Sequence, residues 1–326
     1  MTISRELGDS GLRLTTLGFG GGPVGWLDAP DAESEARLAV EAAWDAGVRY
    51  FDTAPYYGYG ASERRIGAAL AGRPREQFVI STKVGRLIRP RFPGDRDPAQ
   101  VVFDYSHSGA ARSVEESLER LRLERIDIAL IHDIDGWTHR EAQPQRFREA
   151  LEGAYRALVD LKAAGAIRAI GLGVNEWRVC QDFAREAPVD CFLLAGQVSL
   201  LRQEALQSFL PFCAERRIGV IVGGPFNSGV LASGAVAGAR FDYAPASEDI
   251  LRRVRAIEAV CARFGVPLAA AALAFPLRCA AVAAVIPGFA NRAELAAGVD
   301  WARATPPEAL WRALADAGMI AADQSR

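Results

Sequence analysis

Short runs rich in β-branched and other apolar residues recur along the chain, and each is followed by a longer stretch whose apolar positions fall three and four residues apart. Eight runs stand out: "TTLGFG", "VRYFDTA", "FVISTKV", "IDIALIHD", "IRAIGLGV", "CFLLAGQV", "GVIVGG" and "AVAAVIPG". They are near-continuously apolar, which marks strands buried on both faces. Between them, "EARLAVEAAWDAGV", "RSVEESLERLRL", "ALEGAYRALVDLKAAGAI" and "QSFLPFCAERRIGV" read as amphipathic helices, several ending near a glycine. Strands that alternate with helices predict parallel pairing through right-handed crossovers. Eight such units close most simply into a (β/α)8 TIM barrel, and an open doubly wound sheet is the alternative.

Around this repeat, "ISRELGDSGLRLTT" predicts two short strands about the turn "GDSG", a β-hairpin placed to plug the bottom of the barrel. An extra helix is expected at the C-terminus. No stretch has the composition of a linker, so residues 1–326 are expected to form a single domain. The longest irregular segment runs from about Gly85 to Gly109, a length usually associated with a functional loop such as a lid. The stretch "LAAAALAFPLRCAAVAAVIPGFA", residues 268–290, is long enough to cross a bilayer, but Pro276, Arg278 and Pro287 divide it. A buried helix followed by a buried strand is the expected reading.

Composition narrows the function. Half of the residues are hydrophobic and the net charge is −2, which provides no electrostatic footprint for nucleic acid. The opening residues show no basic start followed by an apolar run, the pattern of a secretory leader. The five cysteines lie in apolar stretches without a CxxC pair and read as buried free thiols of a reducing, cytoplasmic compartment. No membrane or nucleic-acid partner is expected, only a small-molecule substrate, and the oligomeric state is open. Of 38 basic residues only Lys83 and Lys162 are lysine, so a lysine in a strand is an exception that needs a reason.

The active site of a (β/α)8 barrel lies at the C-terminal ends of its strands. Four polar residues fall there: Asp52, then Tyr57 in the following loop, Lys83 and His132. A buried carboxylate and a buried ammonium on adjacent strands are expected to pair, since either alone costs several kcal/mol. The pair leaves Lys83 charged, and a cation beside Tyr57 is expected to lower a phenol pKa that is normally about 10. With His132 as a further donor, the set can move a proton to or from a substrate oxygen. It supplies no hydride, metal cage or acyl-forming nucleophile. Gly20, Gly22 and Gly25 in "GFGGGPVG" satisfy the dinucleotide fingerprint formally. Pro23 and "WLDAPDAES" are expected to delay the helix to about Glu33, so these glycines read instead as places of close backbone approach to cofactor or substrate.

These residues resemble the aldo-keto reductase superfamily over nearly the whole chain: "FDTAPYYG", "ISTKV", "IDIALIHD", "IRAIGLGVNEW" and "GQVSLL" match its motifs in order. The resemblance implies a nicotinamide-dependent oxidoreductase with Asp52, Tyr57, Lys83 and His132 as catalytic tetrad. It implies that Asn175 and Gln197 hold the nicotinamide carboxamide. It further places Gly21, Gly223, Pro225, Phe226, Asn227, Ser228, Pro287, Gly288, Arg292 and Glu294 along the cofactor, and Trp26, Tyr56 and Trp137 in the substrate pocket.

The chain departs from the family pattern at three points. Val174 replaces a serine, Gly223 replaces the tyrosine that commonly stacks under the nicotinamide unless Phe226 substitutes, and Gly288 and Glu294 replace cations that attract the NADP 2′-phosphate. NAD or NADP is therefore expected, with NAD favoured and Arg292 the residue that can rescue NADP. "VFDYSHSGAARSVEESLERL" and "GLGVNEW" resemble the aldose 1-dehydrogenase branch, which implies oxidation of an anomeric hydroxyl to a lactone with Tyr57 as base. An aldehyde or ketone reductase, a pyridoxal 4-dehydrogenase, a Schiff-base lyase using Lys83 and a cofactor-sensing regulatory barrel are the alternatives.

Overall fold

The computed structural model describes residues 3–89, 97 and 100–321. Strands β1 (Ser4–Glu6) and β2 (Arg13–Thr15) form the expected antiparallel hairpin, closed where Leu7 N–H donates to Leu12 O at 2.9 Å. The barrel strands follow in chain order: β3 (Phe19–Gly20), β4 (Tyr50–Asp52) and β5 (Val79–Val84). A small antiparallel pair, β6 (Arg86–Ile88) and β7 (Val101–Phe103), precedes β8 (Ile128–His132), β9 (Ala169–Val174), β10 (Cys191–Ala195) and β11 (Gly219–Gly223). A second short pair, β12 (Arg240–Phe241) and β13 (Ala244–Pro245), precedes the last barrel strand, β14 (Val282–Ile286).

The eight barrel strands are parallel and neighbour one another in the order of the chain, β3-β4-β5-β8-β9-β10-β11-β14. Parallel bridges Leu17–Val285 and Gly20–Gly288 join the two ends and close the ring. A doubly wound sheet would reverse its order at a switch point; this one never does. Each strand is buried on both sides, which explains the continuous apolar runs. One core fills the barrel interior with Tyr50, Ile128, Leu130, Leu193, Ile221 and Ile286, and the hairpin's Leu7, Leu12 and Leu14 close its lower end. A larger core lies between the strands and the surrounding helices. The expected C-terminal helix is Glu308–Asp316, whose buried Trp311 packs on Phe275 with ring centroids 6.2 Å apart.

Two expectations need correction. The segment from Gly85 to Gly109 is not irregular throughout: β6 and β7 pair as an antiparallel hairpin stem, and the next helix already begins at His107 under a Ser106 cap. Residues 90–96, 98 and 99 of that segment lie outside the described residues. In "GFGGGPVG" a helix does begin at once, the single turn Gly22–Trp26 with Pro23 in its first positions, before the longer helix Ala32–Asp45. Proline is compatible with a first helical turn because that turn's N–H groups lack intrahelical partners anyway.

The glycines are explained by packing against the chain itself more than against a ligand. A Cβ on Gly20 would lie 2.8 Å from Pro287 O at the barrel seam, and one on Gly25 would lie 2.6 Å from Tyr57 O. Gly20 and Gly22 both line the central cleft, and Gly22 alone of these glycines has open space around it. The apolar stretch from Leu268 is a short buried helix, Leu268–Ala274, followed by β14. Among the described residues no single helix is long and apolar enough to cross a membrane.

Candidate active site

Parallel strands lift their C-terminal ends to one rim, and the polar residues predicted from spacing meet there. Asp52 is the last residue of β4, Lys83 the penultimate residue of β5 and His132 the last of β8. Lys83 Nζ donates to Asp52 Oδ1 at 2.9 Å, to Asp52 Oδ2 at 2.8 Å and to Thr53 O at 2.9 Å. Ser81 Oγ donates to Asp52 Oδ1 at 2.7 Å and is itself 2.9 Å from Tyr50 OH. Gly173 on β9 leaves room for the lysine stem, since a Cβ there would come within 3.2 Å of Lys83 Cε. Burial opposes charge on Lys83, but Asp52 and Tyr57 outweigh it, and the ammonium is held above its ordinary pKa. Burial pushes the Asp52 carboxyl up against the opposing pull of Lys83 and Ser81.

Tyr57 stands in a turn built by close backbone approach. Gly58 has φ +60°, and a Cβ there would lie 1.8 Å from Gly25 O, so only glycine fits where the loop touches the Gly22–Trp26 turn. The Tyr57 ring lies 4.8 Å from Lys83 Nζ and 6.2 Å from the His132 ring, edge to face. The expected lowering of its pKa is overturned. Burial raises the phenol to about 12; Lys83 pulls it down but less strongly, and Asp52 and Asp133 add to the rise. A buried phenolate loses more solvation than one nearby cation restores when that cation is already paired. Tyr57 is thus a neutral phenol, ready to donate a proton. Burial, with Arg86 and Lys83 adding to it, holds His132 well below its ordinary pKa, so the imidazole is neutral.

Two side chains that sequence spacing did not single out complete this wall. Arg86, three residues beyond Lys83, holds its guanidinium carbon over the Tyr56 ring, 3.5 Å from the centroid, and forms an ion pair with Asp133. Asp133 sits in the left-handed region at φ +50°, places Oδ2 3.4 Å from His132 Nε2 and accepts from Asn175 Nδ2 at 3.2 Å. Burial pushes the Asp133 carboxyl up to about 6, against the pull of Arg86. The sequence signal was present in "KVGR" and "IHDID", where a charge follows each strand-end residue, but a charge in a loop is ordinarily solvated. Asp135 adds a backbone hold on the neighbouring loop, accepting from Asn175 N at 2.7 Å.

The cleft above the strand ends has a volume of about 960 Å3. Of the expected cofactor and substrate residues, Trp26, Tyr56, Trp137, Asn175, Gln197, Gly223, Asn227, Ser228 and Gly288 line it together with the four polar residues above. Trp26 packs edge-on against Tyr56 and Tyr59 at 5.6 and 5.1 Å. Asn227 is buried with Nδ2 donating to Gly196 O at 3.0 Å and with Oδ1 unpartnered, a free acceptor in the cleft wall.

Gly21, Pro225, Phe226, Pro287, Arg292 and Glu294 do not line the cleft. Gly21 N donates to Asp52 O at 2.8 Å, and Pro287 O accepts from Gly20 N at 2.9 Å, so both brace the rim from behind. Phe226 turns away and meets Trp301 at 5.8 Å, so it does not replace the missing stacking aromatic. Glu294 is bound at the start of its own helix: Oε2 accepts from Ala290 N at 2.7 Å and Oε1 from Asn291 Nδ2 at 3.3 Å. Arg292 lines a separate shallow cleft with Glu35 and Asn291.

An ammonium–carboxylate pair, a neutral phenol and a neutral imidazole can together move a proton at a substrate oxygen, and the cleft beside them is large enough for a dinucleotide. Comparisons with known proteins agree. Residues 16–314 match the profile of the Aldo/keto reductase family. The chain is 40% identical to pyridoxal 4-dehydrogenase of Microbacterium luteolum, covering 97% of each, and 39% identical to D-threo-aldose 1-dehydrogenase of a Pseudomonas species, covering 95% of this chain and 96% of that one. The holo form of an aldo-keto reductase from Bacillus halodurans superposes with a TM-score of 0.73 at 25% identity, covering 94% of this chain and 93% of that one. Barrel, strand-end constellation and matches over nearly the full length converge: the chain belongs to the aldo/keto reductase family and is an oxidoreductase.

Proposed function

We propose that this protein is an NAD-preferring dehydrogenase that oxidises the hydroxyl of a cyclic hemiacetal to a lactone. The observation that carries the chemistry is the Lys83–Asp52 pair beside Tyr57, with His132 on the same rim. The substrate class rests on the two relatives named for aldoses and for pyridoxal. Both kinds of molecule close on themselves by adding a hydroxyl to their own aldehyde, so both present a ring carbon that bears one hydroxyl, one ring oxygen and one hydrogen. A bound nicotinamide supplies hydride-acceptor chemistry.

The chain's own residues manage the proton. The Tyr57 phenol first gives its proton to solvent, a minor equilibrium that Lys83 favours by stabilising the phenolate. The phenolate then takes the proton from the hemiacetal hydroxyl, while His132 donates to the substrate oxygen and fixes its direction. In reduction the same phenol gives the proton back. Asn175, Gln197, Asn227 and Ser228 are the side chains suited to hold the cofactor, the unpartnered Asn227 Oδ1 being an acceptor that otherwise costs folding energy. The protonated state of Lys83 removes support for a Schiff-base lyase, which needs a neutral amine.

The preference for NAD is supported by Glu294. Its carboxylate lies in the first turn of helix Arg292–Arg303 and accepts from Ala290 N just ahead of the Asn291 cap, which puts negative charge at a helix start that would otherwise favour a 2′-phosphate. A panel of aldoses and pyridoxal, followed by nicotinamide absorbance with both cofactors, tests the reading. Lactone formation with NAD supports it. Turnover confined to open-chain aldehydes or ketones overturns the hemiacetal assignment.

A further inference from the structure

The charges around the cleft are balanced among the described residues. Lys83 pairs with Asp52, Arg86 with Asp133 and Arg202 with Asp242, and one further charge of each sign, Arg178 and Glu176, completes the lining. Such a wall carries no surplus charge of either sign. It offers donors and acceptors side by side, which suits hydroxyl groups, since each can donate and accept at once.

Beside the Lys83–Asp52 pair at the reaction centre stands Arg86–Asp133, against Tyr56 and His132. The Arg86 guanidinium carbon lies over the Tyr56 ring, 3.5 Å from its centroid, and the Arg86 Nε is buried without a partner. Asp133 adjoins His132 in sequence and touches its ring at 3.4 Å. With Asp133 also gripping Asn175, the carboxylate ties the imidazole, the guanidinium and an expected cofactor contact into one rigid group. Planar stacking on an aromatic ring and a fork of N–H donors are properties of arginine that lysine lacks.

We propose that Arg86 and Asp133 form a substrate-specificity dyad that recognises a hydroxyl on the carbon next to the reacting one, with Arg86 as donor and Asp133 as acceptor. The dyad selects neutral polyhydroxylated substrates over deoxy analogues and over sugar phosphates. The inference builds on the proposed hemiacetal oxidation for its natural substrate, but the recognition itself needs only carbonyl or carbinol turnover at this site. The pair therefore acts on kcat/KM ratios between substrates that differ in that one hydroxyl.

Two substrate pairs test it. The first is an accepted aldose against its 2-deoxy analogue, in oxidation; the second is 2-hydroxypropanal against propanal, in reduction. The hydroxylated member should be favoured in the parent by roughly ten- to 150-fold, the range for a hydrogen bond to a charged group. In Arg86→Gln that preference should fall at least fivefold. Arg86→Lys keeps a cation for Asp133 and so guards against misfolding, yet it should also lose at least threefold of the preference because the planar donor fork is gone. Loss of oxidation with both aldoses, alongside an intact preference for 2-hydroxypropanal, removes the hemiacetal reading and leaves the dyad standing. A parent that does not discriminate in the second pair, or folded variants that lose less of the preference than these amounts, overturns the dyad.

Discussion

Replacing Lys83 by methionine should separate the structural from the chemical work of the buried pair. Methionine keeps most of the stem volume but removes the ammonium that makes three hydrogen bonds at 2.8 to 2.9 Å. Asp52, only 2% exposed, is then left with Ser81 as its side-chain donor. Breaking a buried ion pair on one side typically costs about 3–5 kcal/mol, because the remaining charge loses its partner and cannot regain water. Asp52 can escape part of this by taking up a proton. Burial already raises its pKa, and without Lys83 the folded-state value rises further above that of the unfolded chain.

The sign of the pH effect follows from that rise. A carboxyl whose folded pKa exceeds its unfolded one favours the native state most at low pH and loses that advantage as pH rises through the folded value. The deficit of Lys83→Met relative to the parent should therefore be smaller at pH 5 than at pH 8 in equilibrium urea unfolding. The double variant Lys83→Met with Asp52→Asn removes both charges and should recover a large part of the loss. A deficit below about 1 kcal/mol, unchanged between the two pH values, would refute the claim that Lys83 holds a buried carboxylate ionised. Activity reports separately: the phenol of Tyr57 loses its nearby cation, so oxidation should slow and its pH dependence should move upward.

Tyr57→Phe should retain cofactor binding, measured by fluorescence quenching, while losing about 10²- to 10⁴-fold in turnover; turnover within threefold of the parent would remove the phenol from the mechanism. With that phenol raised to about 12 by burial and by Asp52 and Asp133, against Lys83, oxidation in the parent should keep accelerating with pH, and a plateau below pH 8 would contradict it. Glu294→Gln should raise kcat/KM for NADP relative to NAD while preserving the side-chain oxygen that accepts from Ala290, and Glu294→Arg should raise it further. Parent preference for NADP with no response to either change would show that this helix start does not meet the ribose. Gly58→Ala should unsettle the Tyr57 loop, because its φ of +60° and the 1.8 Å approach to Gly25 O leave no place for a methyl group; a crystal structure with an unmoved loop would oppose this.

The fold and the meeting of four polar residues at one rim were legible in the sequence because they depend on local pattern. Continuous apolar runs mark strands covered on both faces, helical periodicity marks what covers them, and parallel closure places every strand end at one height. Asp52, Lys83 and His132 could thus be placed together from their positions after three apolar runs. The short helix Gly22–Trp26 and the pairing of β6 with β7 were not legible, since each is too short to show a period and rests on contacts outside itself.

What only the tertiary structure decided is the balance of burial against charge and the direction in which side chains leave the backbone. The sequence showed a lysine near a tyrosine and so pointed to a lowered phenol pKa; the folded environment reversed the sign, because solvent excluded by the whole barrel outweighs one cation already shared with Asp52. Phe226 and Glu294 stand in the loops where a cofactor was expected, yet one turns to Trp301 and the other to its own helix start. Arg86 and Asp133, ordinary loop charges in one dimension, become a buried pair against Tyr56 and His132. Pattern along a chain specifies which segments must hide from water, whereas the partners of a polar group are set by distances in three dimensions that no local period encodes.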